Sequence, residues 1–217
     1  MFFIFVLYRC TRTKRGKVLF FGKKHYKSKS QEELIQLAQQ DDLTAVEELV
    51  KRNQQNIYAA FYYLNGDCSE ILDLTQEALL KMAKNIKKLK DPQKFKAWLN
   101  QIITRLFYDS IRTKSKKPQT IPIDKTDDED NRFKVTDIPC QEYTPEESSI
   151  NSELQCIIER SIKKLPDSFR LAIILREFQG LSYEEIAEIT NTNIGTVKSR
   201  ISRARNKLQE DLKQYIA

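Results

Sequence analysis

The chain has 217 residues, 40% hydrophobic and 31% charged, which fits a folded globular protein. Only five glycines and six prolines favour long helices over many short strands. Four scattered cysteines without a C-x-x-C pair, together with a single histidine, argue against a protein-held zinc site and give no sign of a disulfide framework, and no cofactor is expected.

The N-terminal segment is strongly basic, whereas the formal charge of the whole chain is only +7. Residues 1–29 hold nine Lys or Arg and no acid. The apolar run before these charges is far shorter than the roughly 20 residues that cross a bilayer, and a signal peptide has its charges first. We predict a basic, disordered arm over residues 1–29 and no membrane partner, with a weak contact to membrane or nucleic acid as the alternative.

Residues 30–113 carry the signals of a compact helical domain. Ser30 and Glu33 have the spacing of a capping box, and Thr44 with Glu47 predicts a second one. Apolar residues then recur at intervals of three and four through residue 64, where the sequence NGD predicts a break. A further helix is predicted over residues 73–90, and the Asp-Pro pair at 91–92 predicts the start of another that runs to about residue 113.

Residues 114–149 differ in composition and are predicted to be a flexible linker. The segment is rich in proline and poor in apolar residues, and its charge changes from basic to acidic. Residues 124–150 hold three basic and nine acidic residues. Such a segment does not bind DNA, and composition alone leaves a plain acidic spacer as one of its possible roles.

Residues 150–217 are predicted to form a second small helical domain that contains a helix-turn-helix. Ser182 and Glu185 form another capping box at the start of a short helix. Asn191 suits the left-handed residue of the turn, and Asn193 suits the cap of the last helix, which begins near residue 194. The proportions of two helices and a short turn are those of a DNA-binding motif.

The last helix of this motif has one apolar stripe and an opposite polar face. At about 100° per residue, Val197, Ile201 and Ala204 fall on one side. Ser199 and Ser202 lie nearly opposite, where small polar side chains let a backbone approach a surface. Long cations at the edges of this face can reach phosphates or base edges, although a solvated basic helix would show the same pattern.

These strings resemble those of a known family. The segment GLSYEEIAE followed by GTVKSR and RAR is similar to region 4 of bacterial sigma factors of the sigma-70 family, extracytoplasmic-function (ECF) group. The upstream strings DLTQEALL and KFKAWLNQIITRLFYDSIR resemble region 2 of the same group. The resemblance covers about residues 30–113 and 150–213 and leaves out the N-terminal arm.

The resemblance implies an all-α protein of two small helical domains, region 2 and region 4, joined by the flexible acidic linker. It also implies a function as a sigma factor, which binds core RNA polymerase and directs promoter recognition, DNA melting and transcription initiation. The expected partners are core RNA polymerase, promoter DNA and an anti-sigma factor of the kind that commonly restrains such proteins. The chain is expected to be cytoplasmic and not an enzyme, because the polymerase performs the chemistry. For the linker, the resemblance adds the role of threading the polymerase cleft.

The family also implies which residues act. Those expected to contact the −35 element through the helix-turn-helix are Thr196, Lys198, Ser199, Arg200, Ser202 and Arg203. Those that it implies for the −10 element are Lys88, Lys90, Gln93 and Arg105. To these we add Tyr108, whose ring would equally fit a structural role, and Arg112, which would also fit a plain solvated helix end. Those expected to bind the polymerase are Asp73, Gln76, Glu77 and Leu80. Arg105 stands where the family commonly has asparagine, and it cannot reproduce the bidentate pairing of an amide with adenine. On composition alone, the polymerase-binding set would also fit an ordinary solvated helix face.

A second hypothesis is a stand-alone helix-turn-helix regulator, with residues 30–113 as a sensor or dimerisation domain. Binding to an operator without polymerase would favour it. The strings that resemble region 2 favour the sigma factor instead.

Overall fold

The computed structural model describes residues 24–64, 68–116, 155 and 157–216, and every regular element in these ranges is helical. The N-terminal part consists of α1 (Lys24–Lys27), α2 (Gln31–Gln39), α3 (Leu43–Leu64), α4 (Cys68–Asn85) and α5 (Phe95–Lys116). The C-terminal part consists of α6 (residues 157–164), α7 (Asp167–Ile173), a π-helical turn (Ile174–Phe178), α8 (Tyr183–Thr190) and α9 (Ile194–Ile216). We call α2–α5 the N-terminal bundle and α6–α9 the C-terminal bundle.

The start of the N-terminal bundle confirms one predicted cap and corrects another. Ser30 and Glu33 form the reciprocal capping box of α2. The predicted box of Thr44 and Glu47 is wrong, because α3 begins at Leu43 and the carboxylate of Asp42 accepts from the backbone N–H of Thr44 at 2.9 Å. Asp42 precedes the helix and can turn its side chain back onto the first free amides, whereas Thr44 already lies within the first turn.

The last residues of the predicted N-terminal arm pack against α3. Arg52 donates to the backbone carbonyls of Tyr26, Lys27 and Lys29 at 2.9–3.0 Å. The hydroxyl of Tyr26 donates to Asp42 at 2.7 Å. Residues 1–23 of the predicted arm lie outside the described residues.

The connection from α4 to α5 is held in a defined geometry. Two short 3₁₀ turns, Ile86–Lys88 and Pro92–Lys94, flank it, and Asp91 caps the second turn as predicted. The amide of Gln39 donates to the carbonyls of Ile86 and Leu89 at 3.2 and 2.7 Å. The buried side chain of Leu89 anchors the loop, so the lysines beside it are directed outward.

The helix-turn-helix forms as the sequence predicts. Ser182 and Glu185 make the capping box of α8, and Asn191 adopts the left-handed conformation at φ 50°. The side chain of Asn193 accepts from the backbone N–H of Thr196 at 2.7 Å and caps α9. These three local features set the angle at which α9 leaves the turn.

The two bundles are in direct contact along what we call the seam. Its N-terminal side consists of Asn56, Tyr62, Tyr63, Leu64 and Asn100. Its C-terminal side consists of Glu159, Lys163, Arg170, Phe178 and Gln179. The helix contacts are made by α3 with α7 and the π turn, and by α5 with α8. The sequence predicted a small, separate C-terminal bundle, and in the structure that bundle packs against its neighbour.

Most of the predicted linker lies outside the described residues, which resume at 155; its first residues continue α5 to Lys116. In the described part of the chain, no helix has both the length and the apolarity needed to span a bilayer.

Candidate nucleic-acid interface

Helix α9 presents a polar face away from its packed side. Val197, Ile201 and Ala204 are buried, as the wheel predicts. Leu208, which continues this stripe, is only half-buried. Because the apolar stripe is fixed in the core, the rotation of the helix about its own axis is also fixed, and with it the direction of the opposite face.

The six predicted α9 residues divide into two groups. Lys198, Ser199, Ser202 and Arg203 are exposed on one continuous face. Thr196 and Arg200 are half-buried. The hydroxyl of Thr196 donates to the Asn193 side chain at 2.9 Å, so it already takes part in the cap. The exposed group thus combines two small hydroxyls with two long cations, a set that can approach a groove and donate to bases or phosphates.

An aromatic and cationic cluster lies beside this face. The ring of Tyr183 has the guanidinium of Arg176 at 4.7 Å and the ammonium of Lys198 at 6.0 Å from its centroid. The guanidinium of Arg176 also donates to the carbonyl of Leu181 at 2.8 Å. Sequence reasoning did not single out Tyr183 or Arg176, although an aromatic residue at the start of the first helix of the motif was a visible signal.

Arg205, which is also exposed on α9, is paired with an acid of the π turn. Its guanidinium forms an ion pair with Glu177, and this contact raises the pKa of Arg205 above its usual value. A cation that is already paired has less to offer a phosphate, so Arg205 differs from Arg203 even though only two positions separate them in sequence.

The N-terminal bundle carries a second set of polar and basic side chains. Lys88, Lys90 and Gln93 are exposed on the loop that Gln39 and Leu89 hold in place. Arg105, Tyr108 and Arg112 are exposed on α5 and, at about 100° per residue, share one face of it. Arg112 forms an ion pair with Asp109 at 3.1 Å.

An acidic surface lies on α4 of the same bundle. Asp73, Gln76 and Glu77 are exposed on α4, and Leu80 is half-buried beside them. Asp73 and Glu77 border a cavity together with Glu70 of the same helix and Asp109 of α5. Glu70 is bridged by Lys114 at 2.9 Å, and Glu77 by Lys81 at 2.9 Å.

The structure brings one residue of the α9 set close to one of the α5 set. Burial raises the pKa of Tyr108 above its usual value, and the positive charge of Arg200 opposes that rise. The charge of Arg200 is therefore felt at the Tyr108 hydroxyl, across the contact between the two bundles.

The helix-turn-helix presents a capped basic helix in a fixed orientation, and the second bundle beside it has a basic surface of its own. These features are those of a DNA-binding protein that acts in transcription. Residues 49–117 match the family described as Sigma-70 region 2, and residues 157–208 match Sigma-70, region 4.

Named relatives agree with both matches. The chain is similar to the ECF RNA polymerase sigma factor SigW of Bacillus subtilis, at 33% identity over 82% of this chain and 95% of that protein. It is similar to the ECF RNA polymerase sigma-E factor of Escherichia coli, at 31% identity over 84% of this chain and 94% of that protein. It also matches SigE of Mycolicibacterium smegmatis, at 31% identity over 78% of this chain, and spans 62% of that longer relative.

Solved structures show the same fold. The sigma factor RpoE from Bartonella quintana, in a complex with the anti-sigma factor NepR, superimposes with a TM-score of 0.57 at 26% identity over 77% of this chain and 96% of that one. CnrH, in a complex with the cytosolic domain of CnrY, superimposes with a TM-score of 0.58 at 20% identity over 86% of this chain and 99% of that one.

The chain therefore belongs to the ECF group of sigma-70 family sigma factors. It directs promoter recognition by RNA polymerase, and its family consists of regulators rather than enzymes. None of these relatives favours the alternative of a stand-alone regulator.

Proposed function

We propose that the exposed face of α9 reads the −35 element of the promoters that this factor serves. The observation that carries the proposal is the fixed rotation of α9: its buried stripe turns Lys198, Ser199, Ser202 and Arg203 outward together. Ser199 and Ser202 let the helix enter a major groove, and Lys198 and Arg203 supply donors at its edges. Thr196 and Arg200, which are half-buried, contact phosphates at the rim of the groove.

The second basic surface takes the −10 element. The loop that carries Lys88, Lys90 and Gln93 is fixed by the hydrogen bonds from Gln39 to its backbone. The three side chains therefore stay exposed and can contact a DNA strand. On α5, Arg105 offers a cation on the same helix face as the ring of Tyr108, and Arg112 adds a second one when its exposed ion pair with Asp109 is exchanged for a phosphate. Cations interleaved with an aromatic ring suit single-stranded DNA. Because Arg105 replaces an amide, it favours guanine or phosphate at the position it contacts.

The acidic surface on α4 docks the polymerase. Asp73 and Glu77 present carboxylates, Gln76 presents an amide, and the partly exposed Leu80 supplies an apolar contact. A surface of this charge fits a basic partner.

Two further properties follow from this assignment. The chain acts without catalysing a reaction, in the bacterial cytoplasm where polymerase and DNA are found. A partner like the one in the solved RpoE complex, an anti-sigma factor, restrains it.

The test is run-off transcription with core polymerase on genomic fragments, followed by mapping of the start sites. We expect initiation only with the chain and core together, from promoters that share two sequence elements. Glu77→Lys should abolish initiation through lost polymerase binding, whereas Lys51→Glu, an exposed charge change on α3, should not. Binding of the chain alone to an operator as a dimer would contradict the proposal.

A further inference from the structure

Residues 24–29, which we call the docked segment, are fixed to α3 by a single arginine. The guanidinium of Arg52 donates to the backbone carbonyls of Tyr26, Lys27 and Lys29 at 2.9–3.0 Å, and its Nε donates to a glutamate of α3 at 2.9 Å. These carbonyls lie at the end of α1 and just beyond it, where a helix leaves acceptors without partners. The planar fork of arginine can satisfy three carbonyls and a carboxylate together, which the single ammonium of lysine cannot do.

A second contact joins the docked segment to the corner between α2 and α3. The hydroxyl of Tyr26 donates to Oδ2 of Asp42 at 2.7 Å. Oδ1 of the same carboxylate accepts from the backbone N–H groups of Thr44 and Ala45 at 2.9 and 3.2 Å, so it also caps α3. The docked segment is therefore tied to two points of the N-terminal bundle.

The same corner is joined to the loop proposed for the −10 element. Asp41 is the other residue of the corner, with a left-handed backbone at φ 69°, and its carboxylate forms an ion pair with Lys87 at 2.6 Å. Lys88 and Lys90 follow on that loop and are exposed. The two aspartates that hold the docked segment and the loop are consecutive residues, with Cα atoms about 3.8 Å apart. The docked segment and the loop therefore both border this corner of the bundle.

The docked segment brings cations to the corner without using them for its own anchorage. Its contacts with Arg52 and with the corner use backbone carbonyls and one phenol hydroxyl. Lys27 is exposed, and Lys29 is half-buried. Residues 1–29 hold nine Lys or Arg and no acid, so the sequence that leads to the corner is strongly basic. Positive charge of this density attracts a phosphate backbone.

We propose that the docked segment binds backbone phosphates of promoter DNA beside the −10 element through Lys27 and Lys29, and that Arg52 holds it in place. Its location on the promoter rests on the −10 assignment proposed above. Arg52 is a positioning residue, because its donors are already directed at the segment and at a carboxylate. The contact adds affinity without sequence preference, since every base pair presents the same phosphates. DNA is favoured over a membrane because the corner that fixes the segment also fixes a DNA-facing loop.

The phosphate contact is tested by the salt dependence of promoter binding by the full chain in complex with core polymerase. Fluorescence anisotropy on a promoter duplex gives log K against log salt. Lys27→Gln combined with Lys29→Gln should reduce the slope by up to about 1.8, about 0.9 for each lost phosphate contact, on every promoter alike. Lys51→Gln combined with Lys164→Gln removes two exposed cations elsewhere and should leave the slope unchanged. Equal slopes for these two variants would overturn the proposal.

Arg52→Lys tests the anchorage separately, because it keeps the charge and removes the fork of donors. We expect it to reduce the salt slope nearly as much as the double replacement of Lys27 and Lys29. Added to that replacement it should change little more, since both act on the same phosphate contacts. Its binding to core polymerase without DNA should equal that of the parent chain. A parental slope, or a loss of polymerase binding in place of a slope change, would refute the positioning role.

An iron chelate attached at Lys27→Cys, after the four native cysteines are replaced by serine, locates the segment on the promoter. The radicals that it generates should cut the DNA at and beside the −10 element. Cleavage confined to the −35 region would contradict the proposal.

Two further measurements separate this contact from the proposed function and from a membrane. If Lys88→Gln combined with Lys90→Gln leaves promoter binding unchanged while the Lys27 and Lys29 replacement lowers the slope, the −10 loop assignment fails and the phosphate contact stands. The reverse result refutes the phosphate contact alone. Sedimentation of the full chain with vesicles of phosphatidylglycerol and phosphatidylcholine should not depend on Lys27 and Lys29. Vesicle binding that does depend on them, together with an unchanged salt slope on DNA, would make a membrane surface the partner instead.

Discussion

The replacement Arg203→Ala tests the proposed reading face most sharply. Arg203 is exposed opposite the buried stripe of α9, and no ion pair or hydrogen bond ties it to another residue in the described part of the chain. Its removal should therefore change the free energy of unfolding by less than about 0.5 kcal/mol. Any large effect on promoter binding would then come from lost contact with DNA.

The magnitude depends on what Arg203 contacts. A bidentate contact with a base contributes about 1–3 kcal/mol of discrimination, so loss of this side chain should weaken binding to the preferred −35 sequence by about 5- to 150-fold. Binding to a sequence changed at the contacted base pair should be affected far less. A phosphate contact would instead weaken all sequences alike and reduce the slope of log K against log salt by about 0.9.

The assay is fluorescence anisotropy of the polymerase complex on a set of duplexes with single substitutions in the −35 element, at several salt concentrations. Arg203→Lys retains the charge without the fork of donors and should restore the salt slope but not the base preference. Lys207→Ala, an exposed cation outside the predicted set, is the matched control. Unchanged affinity and promoter choice in Arg203→Ala would refute the assignment of this face.

The remaining predictions concern the turn and the core that orient α9. Ser182→Ala removes the cap of α8 and should lower the free energy of unfolding by about 1 kcal/mol in thermal or urea denaturation; full stability would show that the capping box contributes nothing. At the left-handed position 191, Asn191→Gly should be neutral or stabilising and Asn191→Val should cost about 1–2 kcal/mol, an order that the same denaturation curves check. Val197→Asp buries an unpaired carboxylate and should unfold the C-terminal bundle by circular dichroism, so a native spectrum would mean that the stripe is not the core side of α9.

Local signals account for much of the agreement between sequence and structure. The capping box of Ser182 with Glu185 and the cap of Asn193 on Thr196 each join residues three positions apart, so spacing alone predicts them. The left-handed conformation of Asn191 follows from its own residue type. The buried stripe of α9 follows from helical periodicity in the same way. The predicted cap at Thr44 was wrong, because Asp42, which precedes the helix, accepts from the first free backbone amides instead.

The environment of Arg205 could not be predicted in that way. From the wheel it resembles any other basic residue at the shoulder of α9, yet its partner Glu177 lies 28 positions earlier, in the π turn. Whether a cation is free for DNA depends on which acid the fold brings beside it. Sequence periodicity predicts on which face of a helix a residue lies, but not which charged residue of another element lies beside it.

The sequence by itself determined that this is an all-helical sigma factor of the ECF group. It also determined which side of α9 is buried, because caps, periodicity and family motifs are local properties of the chain. The tertiary structure alone decided that the two bundles meet and that Gln179 and Asn56 close the contact. An amide on the surface of a predicted helix gives no sign of a partner 123 positions away, since side chains so distant in sequence become neighbours only through the packing of whole helices.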